Sequence, residues 1–578
     1  MPRPRQHWLA LPRRLPSRLP SRLPRKLWGK LIEQARRLPR FAASERAHYE
    51  AREARLLGLG SDQAPSPRDW APLPPAPVIR AALAAAPDYR LIDLAAPGDG
   101  DRAFLARHHL HPEHVTANRG LIPASHLPAG RAARRAALGI DADPDRTAFQ
   151  IEALDQGAVE AVCPATGRLR RAIHGLLAAQ NQPVFYWFPV DGDAPAMLLA
   201  AGREGRGWIK LYLFLPALRT ALLLAERMRW HGRDEIDELR AHLLAEHRRL
   251  RSYLARTDPP RPWALVDNRQ FAHHLWNALT GLERLAARVD RLPVAGISLC
   301  AEPWGRVEDL FPELRRTPLH RERFPVPMEQ AATAHRLLIR VGGTRIGEEL
   351  LRRVRHVAAE QVPSALRARA AALRRRHRPI LWVTLRMENR TWVSQVPGLI
   401  EIGRRLAADH PGAALIIDGF SVLHDVPPAP STEQARLIAA ERHAAAAIAA
   451  ALDGLLPVLS LVGRPLFEAA VFARVADCYL AHHGSLQHKI GWLGNCPGLV
   501  HANRLVLTTP MLWEAALQVR ERQIPPTYLD PALVHDMPGA ARVANNRWLD
   551  DLDNYDLDAS AAYAALSPML GDATRRPG

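Results

Sequence analysis

The sequence predicts an α/β protein built on parallel sheets, and two observations carry that prediction. Within residues 379–503, short apolar runs rich in β-branched residues alternate with longer segments of helical spacing. Polar or glycine-punctuated turns follow those runs. Strands joined by helices of this length pair in parallel, with the helices as crossovers.

The elements follow in order. ILWVTL at 380–385 reads as the first strand and 396–409 as its helix. The run at 413–417 is the second strand, ending in Asp418-Gly419, and the Ala-rich segment 432–452 has the composition and length of a helix. LPVLSLV at 456–462 is a third strand bounded by Gly463, residues 467–474 return to helix spacing, and 478–481 is a fourth strand ending at His482-His483-Gly484-Ser485.

In such a sheet ligands bind beyond the carboxyl ends of the strands, where helix N-termini point their free N–H groups at the cleft. The residues falling there are Arg386, Asn389 and Arg390, then Asp418, Gly419 and Ser421, then Gly463 and Arg464, then 482–489 with His483, Gly484, Ser485 and Lys489. This rim is cationic and suits a diphosphate, because a guanidinium offers phosphate oxygens a planar fork. Arg386 and Arg390 are the leading clamps, since residues four apart share a face if the turn between them starts helically. Lys489 and the Gly484-Ser485 amides come next.

The rest of the chain bounds the reading. Its 578 residues are enough for two or three domains. It is 47% hydrophobic and 24% charged, a globular composition, and its excess of Ala, Arg, Leu and Pro suggests a GC-rich bacterial source. The formal charge is +19, of which residues 1–40 hold +11 (ten Arg and two Lys against Glu33), so the remainder carries only +8. Nucleic-acid binding is therefore not expected, because it calls for a basic folded face. Cys163, Cys300, Cys478 and Cys496 have no paired short spacing, as in a reducing compartment, and suggest no zinc site. No run is long and apolar enough to span a membrane, and no apolar core of a secretion signal stands near Met1.

Residues 1–60 read as a basic extension with an imperfect Arg-Leu-Pro-Ser repeat, either a disordered leader or a segment that adheres to an anionic membrane surface through residues 1–40. A solvated helix of alternating charge is expected up to 57, and 61–77 is a Pro-rich linker. Strands are expected at 89–94, 158–163 and 184–188, a hairpin at 197–201 and 208–214, and a long basic helical region over 218–254. Asp99-Gly100-Asp101 and Asp191-Gly192-Asp193 read as ordinary polar turns, the other reading being paired aspartates that hold a metal-bridged diphosphate.

From 263 to 289 Phe271, Leu275, Ala278, Leu279 and Leu282 share a helical face, and His273 and His274 are consecutive, so at least one of the two rings lies off the core. One of them is a candidate base facing a cleft. VAGISL at 294–299 is a buried strand, and Glu302 in the loop after it is a second candidate base or else a solvated carboxylate. A further strand at 335–340, a basic helical stretch at 347–376 and an acidic end complete the chain.

The segment YLAHHGSLQHKIGWLGNCPGLVHAN (479–503) resembles the donor-side signature of inverting GT-B glycosyltransferases, in which a strand ends in a His-Gly-small turn before a helix. Upstream, DNRQFAHHLWNALTGLERL (267–285) resembles the aromatic-x-His helix in the acceptor half of family-61-type glycosyltransferases and related capsular polysaccharide biosynthesis proteins. The two segments come in the family's order, and the likeness covers 262–507. It implies two facing Rossmann-like domains: an acceptor-side domain at 78–345, a donor-binding domain at 346–510, and a helical tail at 511–578 that crosses back to the first domain.

The expected activity is transfer of a sugar from a nucleotide-diphosphate donor to a glycan or polysaccharide acceptor, without metal or other cofactor, in the cytoplasm or peripherally on the inner face of the plasma membrane. Three rivals remain: a pyruvyl or other group transferase of exopolysaccharide synthesis, a non-catalytic scaffold of a polysaccharide assembly complex, and, least expected, nucleic-acid binding through residues 1–40. The scaffold is suggested by Gly484-Ser485-Leu486-Gln487, which stands where the family has a longer Gly-Ala-Gly turn.

Overall fold

A computed structural model describes residues 39–57, 76–84, 89–180, 182–202, 208–225, 232–387, 389–424, 431–508, 520–537 and 553–575. The basic leader, the Pro-rich linker and the helix expected near 511–520 lie outside the described residues. The fold is α/β, as the strand–helix alternation predicts.

The C-terminal sheet positions the site. Its strands Ile380–Thr384, Ala414–Asp418 and Cys478–His482 are buried along their whole length, which explains why their sequences are apolar on both faces. All pairings are parallel. Across the sheet the order is Val458–Ser460, Ala414–Asp418, Ile380–Thr384, Cys478–His482, Gly498–His501, Thr527–Tyr528. Numbered along the chain this is 3-2-1-4-5-6, the order of a doubly wound sheet, and it reverses between Ile380–Thr384 and Cys478–His482.

A middle sheet repeats the first part of that order in parallel strands: Leu319–Arg321, Gly296–Leu299, Arg261–Val266, Arg336–Arg340. Its reversal lies between the last two. There Arg340 and Asp267 form a fully buried bidentate pair at 2.7 and 2.8 Å.

The sheet that precedes it is of another kind. Val184–Phe188, Met197–Ala201, Lys210–Leu215 and Thr220–Leu223 run antiparallel, and only the edge strand Arg90–Asp93 pairs in parallel. The expected acceptor-side domain is therefore a parallel sheet joined to an antiparallel one. Short connections make this unavoidable, since a parallel pair needs a crossover of about a dozen residues or more.

Several local expectations need correction, the first being Asp99-Gly100-Asp101, which opens the helix Asp99–Arg107 instead of forming a turn. The region 218–254 begins with the strand Thr220–Leu223 before the helices Gly232–Ala245 and His247–Leu254, because its first apolar residues complete the sheet. The helix Pro39–Leu56 is not simply solvated: Tyr49, Arg52 and Glu53 are buried, and Glu53 accepts from Arg240 at 2.6 Å. The C-terminal tail supplies a sixth sheet strand and an antiparallel pair, Val534–Met537 with Asn554–Leu557, before its helix. That helix, Ala559–Arg575, packs on Gln395–Asp409 of its own domain rather than crossing back, and Tyr563 donates to Asp409 at 2.8 Å. Its apolar face, with Ala562, Leu566 and Leu570, finds its core there.

Candidate functional site

The reversal in the C-terminal sheet sets the loops that follow Ile380–Thr384 and Cys478–His482 side by side, the place where a doubly wound sheet has its ligand crevice. Thr384 and His482 end the strands on either side: the His482 amide donates to the Thr384 hydroxyl at 2.9 Å, and the hydroxyl lies 3.0 Å from His482 Nδ1. Burial, helped by His501 and Arg386, keeps His482 neutral, its pKa well below the ordinary value.

His483 follows, buried, and its pKa is pushed down to about 3 by burial and then by the Arg390 and Arg386 charges. Next comes Gly484 at φ +104°, ψ −146°, a conformation essentially confined to glycine. It caps helix Ser485–Leu493, whose first amides and dipole favour an anion.

Arg386, Asn389 and Arg390 form the other wall, all half-buried. Gln395 holds the Arg386 backbone at both ends, accepting from its amide at 3.1 Å and donating to its carbonyl at 2.8 Å. The Arg386 guanidinium donates to the Asn389 carbonyl at 2.5 Å and side-chain oxygen at 2.7 Å. Arg390 adopts φ +53°, and its Nη1 is 3.6 Å from where a Cβ on Gly484 would stand. Two guanidinium groups and a helix N-terminus thus meet at the switch point, an arrangement able to hold a doubly charged phosphate ligand.

Lys489 and Gly419 lie in the floor. The Lys489 ammonium donates to Asp418 at 2.8 Å, the Gly419 carbonyl at 3.0 Å and Ser421 Oγ at 2.9 Å, with no exposed side-chain surface on Lys489 or Asp418. An ammonium has three protons, and all three are used. Lys489 therefore neutralises Asp418 and has no proton for a ligand. Gly419 gives room to Glu441, whose Oε2 accepts from the Phe420 amide at 2.6 Å.

On the facing side, the segment with both candidate histidines contains a π-helix, His274–Leu279. Such turns often mark functional sites. His274 is fully buried, its Nε2 3.1 Å from the Ala301 carbonyl, a core histidine. His273 is half-buried with its Nδ1 3.1 Å from Asn277 Oδ1, while Asn277 Nδ2 donates to the Gly343 carbonyl at 2.8 Å. That second bond turns the amide oxygen toward the ring, so the proton belongs on Nδ1 and the basic lone pair on Nε2.

His273 stacks on Trp276, Trp276 meets Trp492 at 6.3 Å, and Trp492 lies flat on His488 at 4.3 Å. The helix carrying His273 thus packs directly against Ser485–Leu493, joining the two sheets' switch regions. Glu302 is elsewhere: it caps the Val307 amide at 2.9 Å and pairs with Arg321 at 2.7 and 3.1 Å. That is a structural assignment for Glu302, in place of the base considered from the sequence.

Sequence reasoning missed the supports supplied by the tail. The Thr391 amide donates to Asn554 Oδ1 at 3.0 Å, the Tyr555 amide to the Thr391 carbonyl at 3.0 Å, and Trp392 Nε1 to Asp556 at 3.0 Å, so Asn554–Leu557 pins the arginine loop. Tyr555 OH also lies 2.7 Å from His501 Nδ1 beneath the crevice. The alternation of Tyr555 and Leu557 with Asn554 and Asp556 was a strand signal within the acidic end.

The sheet order and this crevice define a doubly wound α/β protein with a site suited to an anion. No family model matches the sequence, and no curated protein matches it. Among solved structures, the chain is similar to a glycosyl transferase family 9 protein from Veillonella parvula, at 8% identity and a TM-score of 0.26, over 47% of this chain and 86% of that one. It is similar also to the E. coli heptosyltransferase WaaC with ADP-2-deoxy-2-fluoro heptose, at 12% identity and a TM-score of 0.20, over 50% of this chain and 70% of that one. The functional reading below rests on the crevice and not on these likenesses.

Proposed function

We propose that the chain is an inverting glycosyltransferase that moves a sugar from a nucleoside-diphosphate donor to a hydroxyl of a glycan or polysaccharide acceptor. The observation that carries this reading is the Arg390 guanidinium beside Gly484, at the amino end of a helix and inside the switch-point crevice.

In this reading the diphosphate lies across Ser485 and its neighbouring amides, between Arg386 and Arg390, with Asn389 holding Arg386 in place. His273 takes the acceptor proton on Nε2 as the acceptor oxygen attacks the anomeric carbon. The bond to the donor phosphate breaks with its electron pair on the departing oxygen. Guanidinium and amide donors meet the charge that builds there, a preorganised stabilisation that calls for no metal. His483 stays neutral beside the arginines, so it adds no competing charge. The acceptor side and attachment to the inner face of a membrane through residues 1–40 belong to the same proposal.

Calorimetric titration of the intact chain with uridine, guanosine, cytidine, adenosine and thymidine diphosphates tests it. One of them binds below millimolar concentration, and Arg390→Ala weakens that binding. If none binds at millimolar concentration, the transferase reading fails and the scaffold reading replaces it.

A further inference from the structure

The other end of the C-terminal sheet carries a separate groove, of about 190 Å³, between helix Ser364–Arg376 and the edge strand Val458–Ser460. Pro457 and Val458 line it from the start of that strand, so it opens away from the carboxyl ends where the crevice lies.

The helix wall is patterned. Arg369 and Arg376 are seven residues apart, two turns and about 10 Å along the axis, hence on one side. Ala372 and Leu373 lie between them, half-buried, and face Pro457 and Val458.

The wall is strongly basic. Residues 361–378 contain six arginines and no Asp or Glu. Arg374 is neutralised by Asp477, whereas Arg369 and Arg376 are exposed and have no ion-pair partner among the described residues. Two cations therefore flank an apolar strip.

A bare phosphate would use the arginines and leave the strip wet; a neutral hydrocarbon chain would cover the strip and leave the arginines unused. A phosphate monoester on a hydrocarbon chain satisfies both, because guanidinium groups fork onto phosphate oxygens and apolar area is worth removing from water. We propose that this groove is a binding site for one amphiphilic phosphate monoester, its phosphate at Arg369 and Arg376 and its chain along Ala372, Leu373 and Val458. The proposal is independent of the transferase reading, since the groove and the crevice lie at opposite ends of the sheet.

Calorimetric titration of the full chain with dodecyl phosphate, kept below its micelle concentration, tests it, with inorganic phosphate and dodecyl maltoside as comparison probes. One dodecyl phosphate binds per chain, at least about ten-fold more tightly than either comparison probe. The double substitution Arg369→Glu/Arg376→Glu weakens binding at least about ten-fold with the melting temperature unchanged, since both side chains are exposed. Ala372→Trp, which fills the groove, has the same effect on binding. Undiminished binding in these variants, which would place the probe on the basic leader, overturns the proposal, as does equal affinity for inorganic phosphate or dodecyl maltoside.

Discussion

Arg390 stands against Gly484 across the switch point of the C-terminal sheet, so that a Cβ on the glycine would be 3.6 Å from Nη1. The two residues come from loops that follow different strands, and only glycine takes the backbone angles found at 484 without strain. Arg390→Ala is expected to weaken nucleoside-diphosphate binding by about 1.5–3 kcal/mol, the worth of a charge-assisted hydrogen bond, as read by calorimetry. Gly484→Ala is expected to cost about 1–3 kcal/mol of stability in thermal unfolding and to weaken the same ligand by re-aiming the helix amides.

The adjacent histidines differ in burial, His274 being fully buried and His273 half-buried. His273→Asn is expected to lower turnover roughly 10²- to 10⁴-fold, the scale of a lost general base, with nucleotide affinity nearly unchanged. His274→Asn acts on stability instead, since its ring is fully buried against the Ala301 carbonyl. Equal turnover in His273→Asn and the unmutated protein would remove His273 as the base.

Lys489 and Asp418 are a fully buried pair. Lys489→Met leaves Asp418 without its counter-charge and is expected to destabilise the fold by about 3–5 kcal/mol in chemical denaturation. Replacing both, with Asp418→Leu alongside Lys489→Met, is expected to recover much of that loss, because no buried charge then remains. A Lys489 that served chiefly to bind the donor would show the opposite pattern: intact stability and lost nucleotide affinity.

Glu441 gives a pH dependence of definite sign. Burial pushes its carboxyl up to about 7 in the folded chain. Between about pH 4.5 and 7 the native state then holds a proton that the unfolded state has released, so stability falls as pH rises through this window. Glu441→Gln removes this contribution, on the order of 3 kcal/mol at pH 8. The measurement is the difference in unfolding free energy between variant and parent at pH 4.5 and at pH 8. Taking that difference cancels the opposite slope from buried His483 and His501, which cost stability as pH falls below about 6.5.

Much of the C-terminal sheet was legible because the signals for a strand are local. A run such as ILWVT is apolar on both faces, lies between turn residues and is too short for a helix, so its neighbours in sequence suffice to identify it. The same local logic located the carboxyl-end loops, and with them Arg386, Arg390 and Gly484. It also limited the candidate bases to Glu302 and two consecutive histidines, one of which had to leave the core.

What the sequence by itself determined, then, was the alternation of strand and helix over 379–503 and the set of residues at the strand ends. The tertiary structure decided the rest. It set the 3-2-1-4-5-6 order that makes Ile380–Thr384 and Cys478–His482 neighbours at the switch point, and it buried His274 while leaving His273 half-buried. It turned Lys489 inward to Asp418, 71 residues away, and brought Asn554–Leu557 back to pin the arginine loop. The physical reason is that periodicity and turn chemistry act between near neighbours, whereas neutralising a buried charge or completing a sheet depends on partners that only the folded chain brings together.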